Sequence, residues 1–134
     1  MDFDPDLAWR DIEGDGFKAL IGPVRVADHA DGMAMALMLD DRHRNANGVC
    51  HGGVLMSVAD SGLGVCAFAT AGSPVATIDF ECDFMAPAPL GERVHGLARV
   101  ARRARRLLFM EGDLWCAGKR VFRCSGIWAV LDRR

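Results

Sequence analysis

The chain has 134 residues, a formal net charge of −2, and a composition that is 51% hydrophobic and 25% charged. We therefore expect one domain, residues 1–134, with its own core, and the near-neutral charge gives no indication of binding to nucleic acid or to a membrane. The five cysteines are odd in number and lack C-x-x-C spacing, which argues against a disulfide framework or a zinc site and fits a cytoplasmic protein.

The first third of the chain predicts a short helix and a pair of strands. The acidic N-terminus, residues 1–6, lacks the basic and apolar regions of a signal peptide. Residues 5–13 form a weakly amphipathic segment opened by Pro5, which predicts a short N-terminal helix. Two strand-like runs, 23–28 and 32–39, flank a turn that contains glycine, and this pattern predicts a hairpin.

The middle of the chain predicts a long apolar helix. Residues 51–70 are apolar on nearly every side, which is typical of a helix buried in the core. Residues 61–78 carry no formal charge and reach the length of a membrane span. Their glycines and Pro74 favour a buried helix followed by a strand over a transmembrane segment.

Residues 75–84 alternate with a period of two, which predicts a strand with one face on the core. The core face would carry Ala76, Ile78, Phe80, Cys82 and Phe84. The opposite, polar face would carry Val75, Thr77, Asp79, Glu81 and Asp83.

Three further strands, at about 92–102, 106–116 and 119–131, complete the predicted order β-β-α-β-β-β-β. Because sequential strands mostly pair as antiparallel neighbours, we predict an α+β fold. Its curved antiparallel sheet would wrap around one central buried helix.

Asp60 is the most informative residue of the predicted helix, because it is the only charged residue from Gly52 to Ile78. An ionised carboxylate is costly to bury in apolar surroundings unless it has a partner or a function. We favour a catalytic role as a general base or a nucleophile. The alternative is a structural carboxylate that hydrogen-bonds to Ser57 or Ser61.

The segment His51-Gly52-Gly53 lies at the predicted start of this helix. A helix N-terminus offers free backbone N–H groups and the positive end of the helix dipole. Glycines let a substrate carbonyl approach those groups closely, as in an oxyanion site. Alternatively, the glycines only permit a tight turn into the helix, and His51 is a structural loop residue.

The spacing of Gly52 and Asp60 constrains how they act. Eight residues of helix correspond to about 12 Å, whereas a base and an oxyanion donor must both lie within about 3 Å of the reacting groups. One helix cannot bring them together. If both are catalytic, Gly52 of one subunit works with Asp60 of another, which predicts a homodimer with shared active sites.

Several other residues leave alternatives open. Asn45 either orients the carboxylate or an attacking water, or is a plain turn residue. Thr77 either hydrogen-bonds a water or is an ordinary exposed strand residue. Four arginines near one predicted turn form either a solvated hairpin tip or a phosphate clamp, namely Arg102, Arg103, Arg105 and Arg106. The four histidines show no metal-ligand spacing, so no metal site is predicted.

The pattern N-x-x-G-x-x-H-G-G, from Asn45 to Gly53, is followed by six residues and Asp60, and later by Met85-Ala-Pro-Ala88. Together these motifs resemble the hot-dog-fold acyl-CoA thioesterases, and most closely their phenylacetic-acid-degradation, PaaI-like type. The resemblance extends from about Phe17 to Leu131 and includes the order of the strands and the helix.

The resemblance implies a role for each residue of the pattern. Asp60 would be the catalytic carboxylate, and the N–H of Gly52 would polarise the thioester carbonyl. Asn45 and His51 would assist in positioning, and Thr77 would help to hold the water.

The resemblance also implies a dimer with a continuous sheet, often paired into a dimer of dimers. Coenzyme A would lie along the subunit interface as part of the substrate, with its phosphates near basic side chains, and no separate cofactor would be required. The acyl group is not fixed by the resemblance. The alternatives are a hot-dog dehydratase or hydratase acting on acyl thioesters, and a non-catalytic acyl-CoA-binding module.

Overall fold

A seven-stranded antiparallel sheet packs against one long helix in the computed structural model, which describes residues 1–132. The strands are β1 (Arg10–Asp11), β2 (Arg25–His29), β3 (Gly32–Met38), β4 (Val75–Phe84), β5 (Arg93–Arg103), β6 (Leu107–Cys116) and β7 (Lys119–Val130). The helices are α1 (Phe17–Ile21) and α2 (Gly52–Ala71). The strand order β1-β2-β3-β5-β6-β7-β4 leaves β1 and β4 at the two edges of the sheet.

Helix α2 supplies the centre of the core, as its apolar composition predicted. The side chains that it buries are those of Leu55, Val58, Ala59, Leu63, Cys66 and Ala67. Gly62 lets the helix approach the sheet closely, since a Cβ there would lie 2.3 Å from Sδ of Met35. By length and composition α2 could also cross a membrane, but its packing against strands β3 to β7 accounts for its apolar character.

Strand β4 is ten residues long, pairs with β7 on one side, and is an edge of the sheet on the other. Its register slips between Thr77 and Asp79, so that Ile78 is the extra residue of a β-bulge. The regular alternation predicted for this strand is therefore wrong at its beginning. Thr77 faces helix α2 rather than the polar side, and Ile78, expected on the core face, is 59% exposed.

The predicted helix over residues 5–13 is also wrong in position. Arg10 and Asp11 instead form β1 and pair with β2, where Arg25 makes an ion pair with Asp11 at 3.1 Å. The short N-terminal helix begins after Gly16, as α1. A helix over residues 5–13 would be too short to be stable without packing, so its weak amphipathic pattern was outweighed by pairing with the open edge of β2.

The strands that follow α2 confirm the prediction to within one or two residues at their ends. Strands β5, β6 and β7 form a continuous antiparallel meander. The two residues between β6 and β7, Ala117 and Gly118, both have positive φ, of 50° and 77°. Such a pair is typical of the two-residue hairpin turn whose twist matches that of the strands.

Candidate active site

The loop between β3 and α2 is held by a buried histidine. His43 is 1% exposed, and its Nε2 lies 2.7 Å from the carbonyl oxygen of Ile21. Its Nδ1 accepts a hydrogen bond of 3.0 Å from the N–H of Asp40, so the proton lies on Nε2. The carbonyl of His43 accepts from the N–H of His51 at 2.7 Å. His43 therefore fixes the point at which the chain enters α2.

His51 is the N-cap of α2, and its Nδ1 accepts a hydrogen bond of 2.8 Å from the N–H of Gly53. The N–H of Gly52 makes no hydrogen bond with residues 1–132. A Cβ on Gly52 would lie 2.9 Å from Cε1 of Phe84 in β4, so this position needs a residue without a side chain. The helix start thus presents one free donor, that of Gly52, with the positive end of the helix dipole behind it.

Asn45 stabilises the same loop. Its side-chain oxygen accepts from the N–H groups of Asn47, at 2.8 Å, and Val49, at 3.2 Å. This is the local turn pattern in which asparagine is favoured. Its side-chain amide N–H group has no partner within residues 1–132, so a role toward a substrate or a second subunit stays a prediction.

Asp60 and Thr77 form the other part of the arrangement. Asp60 is half-buried on α2, and the hydroxyl of Thr77 donates to its Oδ1 at 2.7 Å. This contact depends on the bulge at Ile78, which turns Thr77 toward the helix. The second carboxylate oxygen, Oδ2, accepts no hydrogen bond in the described part of the chain. The side chain is therefore oriented through one oxygen, and the other is free to take a proton or to attack an electrophile.

Asp60 and Thr77 line a cavity of about 400 Å³ that follows α2 toward its C-terminus. Apolar walls come from both the helix and the strands, with Val65, Phe68, Pro74, Val75 and Trp128 among the lining residues. Lys18 of α1 also lines it. The cavity can accommodate a small, largely apolar group next to the carboxylate.

Gly52 and Asp60 lie on one continuous helix, as the sequence predicted. The separation of about 12 Å along the axis keeps the free N–H and the carboxylate apart within one protomer. The structure therefore brings Asp60 together with Thr77, and His51 together with Gly52 and Gly53. It does not bring these two groups to one point.

The four arginines differ in their contacts. Arg103 donates to the carbonyl oxygen of Thr70 at 3.0 Å, where a cation is favourable at a helix C-terminus. Arg106 pairs with Asp132 at 2.6 Å. Arg102 and Arg105 are exposed and make no ion pair with the described residues. These last two are the better candidates for binding a phosphate, and that function stays a prediction.

Cys50 precedes His51 but is not suited to act as a nucleophile. The thiol is buried, and burial raises its pKa to about 12. The reactive thiolate is therefore scarce near neutral pH. Within residues 1–132, no group of three or more His, Cys, Asp or Glu side chains could hold a metal ion.

Sequence reasoning missed several residues of this region. His43 carries no motif of its own, and its function depends on Ile21, which lies 22 residues earlier. Lys18 and Trp128 reach the cavity from two other elements, α1 and β7. Ser61 also lines the cavity; the sequence suggested it only as a partner of Asp60, and its hydroxyl does not bond to that carboxylate.

Comparison with known proteins assigns the chain to a family. The model of the thioesterase superfamily matches residues 47–122, more than half of the chain. A protein of Pseudomonas aeruginosa is 31% identical over 115 residues, which cover 81% of this chain and 84% of that protein. Human acyl-coenzyme A thioesterase 13 is 29% identical over 100 residues, which cover 73% of this chain and 71% of that one.

Solved structures of other proteins have the same fold as this chain. A mutant form of the phenylacetic acid degradation protein PaaI from Thermus thermophilus superimposes with a TM-score of 0.77 and 28% identity. The superposition covers 87% of this chain and 100% of that protein. The predicted hot-dog fold, with its PaaI-like relatives, is thereby confirmed.

Proposed function

This chain belongs to the thioesterase superfamily, and from that membership we propose that it hydrolyses an acyl-coenzyme A thioester to a carboxylic acid and free coenzyme A. The main observation behind the proposal is that α2 carries two groups with complementary chemistry, each with an atom that makes no hydrogen bond within residues 1–132. One is the oriented carboxylate of Asp60 beside a cavity, and the other is the free N–H of Gly52 at the helix start. A thioester hydrolase needs both a base or nucleophile and an oxyanion donor.

A homodimer through strand β4 would unite these groups. The outer edge of β4 has no strand beside it, and such an edge is a template for pairing with another chain. Large apolar side chains near this edge are exposed: Met56, Phe68, Ile78, Phe84 and Met85. Antiparallel pairing of two copies of β4 would cover them and continue the sheet across both subunits.

The position of the two groups along β4 supports this assembly. Gly52 lies against Phe84 at one end of the strand, and Asp60 is bonded to Thr77 near the other end. A two-fold axis through the middle of β4, between Asp79 and Phe80, places Phe84 of one copy opposite Val75 of the other. Gly52 of the partner subunit then approaches the Asp60 cavity, and two equivalent sites result.

The reaction at such a site proceeds in a defined order. The thioester oxygen accepts a hydrogen bond from the N–H of the partner's Gly52, which stabilises the negative charge that develops on it. Asp60 removes a proton from a water that attacks the carbonyl carbon, and Thr77 keeps the carboxylate oriented. When the carbon–sulfur bond breaks, the thiolate of coenzyme A leaves and takes up the proton. In the second route, Asp60 attacks directly and water hydrolyses the resulting anhydride.

Free-thiol release from a panel of short, branched, aromatic and long-chain acyl-CoAs tests the proposal. We expect turnover of at least one substrate, and a loss of about 10²–10⁴-fold in kcat for Asp60→Ala. Asp83→Ala, an exposed carboxylate on the same edge strand, is the matched control and should retain activity. Absence of turnover with retained binding of acyl-CoA by wild type and Asp60→Asn would favour a non-catalytic binding module instead.

A single turnover in ¹⁸O-labelled water separates the two routes. Attack by Asp60, followed by attack of water on the aspartyl carbonyl of the anhydride, places the label in the Asp60 carboxylate, whereas general-base catalysis places it only in the product acid. Mass spectrometry of the peptide that contains Asp60 reads the difference.

A further inference from the structure

The cavity next to Asp60 carries hydrogen-bond donors that have no partner. Trp128 is 1% exposed, yet its indole N–H makes no hydrogen bond with residues 1–132. Tryptophan is a donor only, and the indole N–H of a buried ring usually finds an acceptor. The ring of Trp128 is buried but its nitrogen is not fully enclosed, since among residues 1–132 the fully buried side-chain N or O atom without a partner is Nδ1 of His95. Trp128 lines the cavity, so the missing acceptor can come from a molecule that occupies it.

Gly64 is the reason that this donor is accessible. A Cβ built on Gly64 would lie 3.5 Å from Nε1 of Trp128, and it would meet no other atom within 4 Å outside its own helix surroundings. A side chain at this position would therefore cover the indole N–H without a clash. Glycine inside a helix costs up to about 1 kcal/mol relative to alanine, and at Gly64 it leaves a polar atom open to the cavity.

Ser61 provides a second free donor in the same cavity. Ser57 and Thr70, on the same helix, donate their hydroxyls to the carbonyls four residues before them, at 2.7 and 2.9 Å. Ser61 makes no such bond, and its hydroxyl has no partner in the described part of the chain. Lys18 lines the cavity too, and no ion pair or hydrogen bond engages its ammonium group within residues 1–132.

The cavity wall is thus apolar with three unused donors, and its carboxylate is already oriented by Thr77. We propose that the acyl group carries an oxygen acceptor on about its third or fourth carbon, held by Trp128 and Ser61; this rests on the proposed thioesterase function. The distance follows from the helix, because Asp60 and Gly64 are one turn, about 6 Å, apart. Lys18 further favours an acceptor that is negatively charged.

Four acyl-CoAs of equal chain length test this inference: butyryl-CoA as the unsubstituted reference, 3-hydroxybutyryl-CoA, acetoacetyl-CoA and succinyl-CoA. For wild type we expect kcat/KM for the substituted substrates to exceed that for butyryl-CoA by about 10-fold, the value of one or two hydrogen bonds. Gly64→Ala, which covers the indole N–H, should reduce this ratio toward one. Ala69→Ser, on the same helix but outside the cavity lining, is the matched control and should preserve it.

The Lys18→Met variant distinguishes a negatively charged acceptor from a neutral one. It should reduce the preference for succinyl-CoA and leave the ratio for acetoacetyl-CoA to butyryl-CoA as in wild type. Equilibrium binding to the Asp60→Asn variant gives a second readout without turnover, and there Gly64→Ala should weaken acetoacetyl-CoA by about 10-fold relative to butyryl-CoA.

Equal rates for butyryl-CoA and the substituted substrates in wild type would overturn the inference while leaving the thioesterase function intact. The inference is also wrong if the preference exists but survives Gly64→Ala in both assays. Absence of turnover with every acyl-CoA would instead contradict the proposed function, and the binding assay would still test the donors.

Discussion

The N-terminus of α2 and the middle of the same helix are built by different means, although both belong to the proposed site. The start of the helix is positioned by a polar network in the preceding loop, in which His43, Asn45 and His51 each accept backbone N–H groups. Asp60 is positioned by one hydroxyl, that of Thr77, which a bulge in an edge strand turns inward. One region is held by several hydrogen bonds within the same chain, and the other borders an open cavity.

Because of this difference, we expect one set of residues to affect mainly the stability of the fold and the other to affect mainly the rate of the reaction. The groups that hold the helix start bond to the backbone of the same loop, and His43 is buried, so their loss should be felt first by the folded state. Groups near Asp60 face the cavity and the open edge of β4, so their loss should be felt first in the reaction. Variants that alter one of the two regions and leave the other intact test that separation.

Mixing two inactive variants should restore activity. Gly52→Pro removes the N–H donor at the first helical position, where the proline backbone is tolerated but its ring requires the exposed ring of Phe84 to move aside, and Asp60→Ala removes the carboxylate. After unfolding and refolding at equal concentrations, half of the dimers contain one copy of each, and each such dimer has one intact shared site. We expect about a quarter of wild-type activity, measured as thiol release.

Each variant refolded alone is the control, and circular dichroism verifies that both parents are folded. Activity that stays at the level of the separate parents after mixing would contradict a site shared between subunits.

Thr77→Val should lower kcat/KM by about 10- to 100-fold, because a hydrogen bond to a charged group is worth about 1.5–3 kcal/mol. Valine has nearly the same shape, so the bulge and the sheet edge should be retained. The matched control is Thr70→Val, which removes a threonine hydroxyl from the C-terminal end of α2, far from Asp60. Equal activity of the two variants would show that Thr77 does not orient the carboxylate.

His43→Leu should lower the free energy of unfolding by about 1–3 kcal/mol, since it leaves the partly buried N–H of Asp40 and the carbonyl of Ile21 unpaired. Urea denaturation measures this change. His29→Leu, at the hairpin turn where the ring accepts one hydrogen bond at the surface, is the control and should change it far less. A Thr77→Val variant destabilised as strongly as His43→Leu would break the proposed separation.

Cys50→Ala should change kcat by less than about threefold, because the thiol is not a nucleophile. Burial raises the pKa of Cys50 to about 12, so thiolate forms only as the pH rises toward that value. Iodoacetamide at pH 7 to 9 should therefore leave the activity intact. Rapid inactivation at neutral pH, with alkylation mapped to Cys50, would contradict this assignment.

The sequence predicted the long helix, the hairpin and the last four strands because each depends on a local pattern. The separation of Gly52 and Asp60 needed only the rise of an α-helix. The bulge could not be foreseen, since Val75 to Phe84 alternate without interruption and the slip arises from pairing with β7. His43 and Trp128 were missed for a related reason: their contacts are with residues far away in the chain.

The N-terminal segment shows the converse error, in which a local pattern predicted an element that the structure does not form. Residues 5–13 have a weak helical pattern, but Arg10 and Asp11 lie beside an open edge of β2. A two-residue strand is below what a propensity pattern can resolve. Its position was decided by tertiary pairing alone.

Strand β4 lies in the middle of the sequence. Among the described strands it pairs with β7, which is the last of the seven in chain order. During translation, therefore, α2 and β4 emerge from the ribosome well before the segment 119–130 that receives β4. Long-range pairings of this kind close slowly and leave apolar surface exposed in the meantime. In the proposed dimer, a second copy can pair with the outer edge of β4 only after β7 has paired with its inner edge, so the order of synthesis would delay assembly until β7 has emerged.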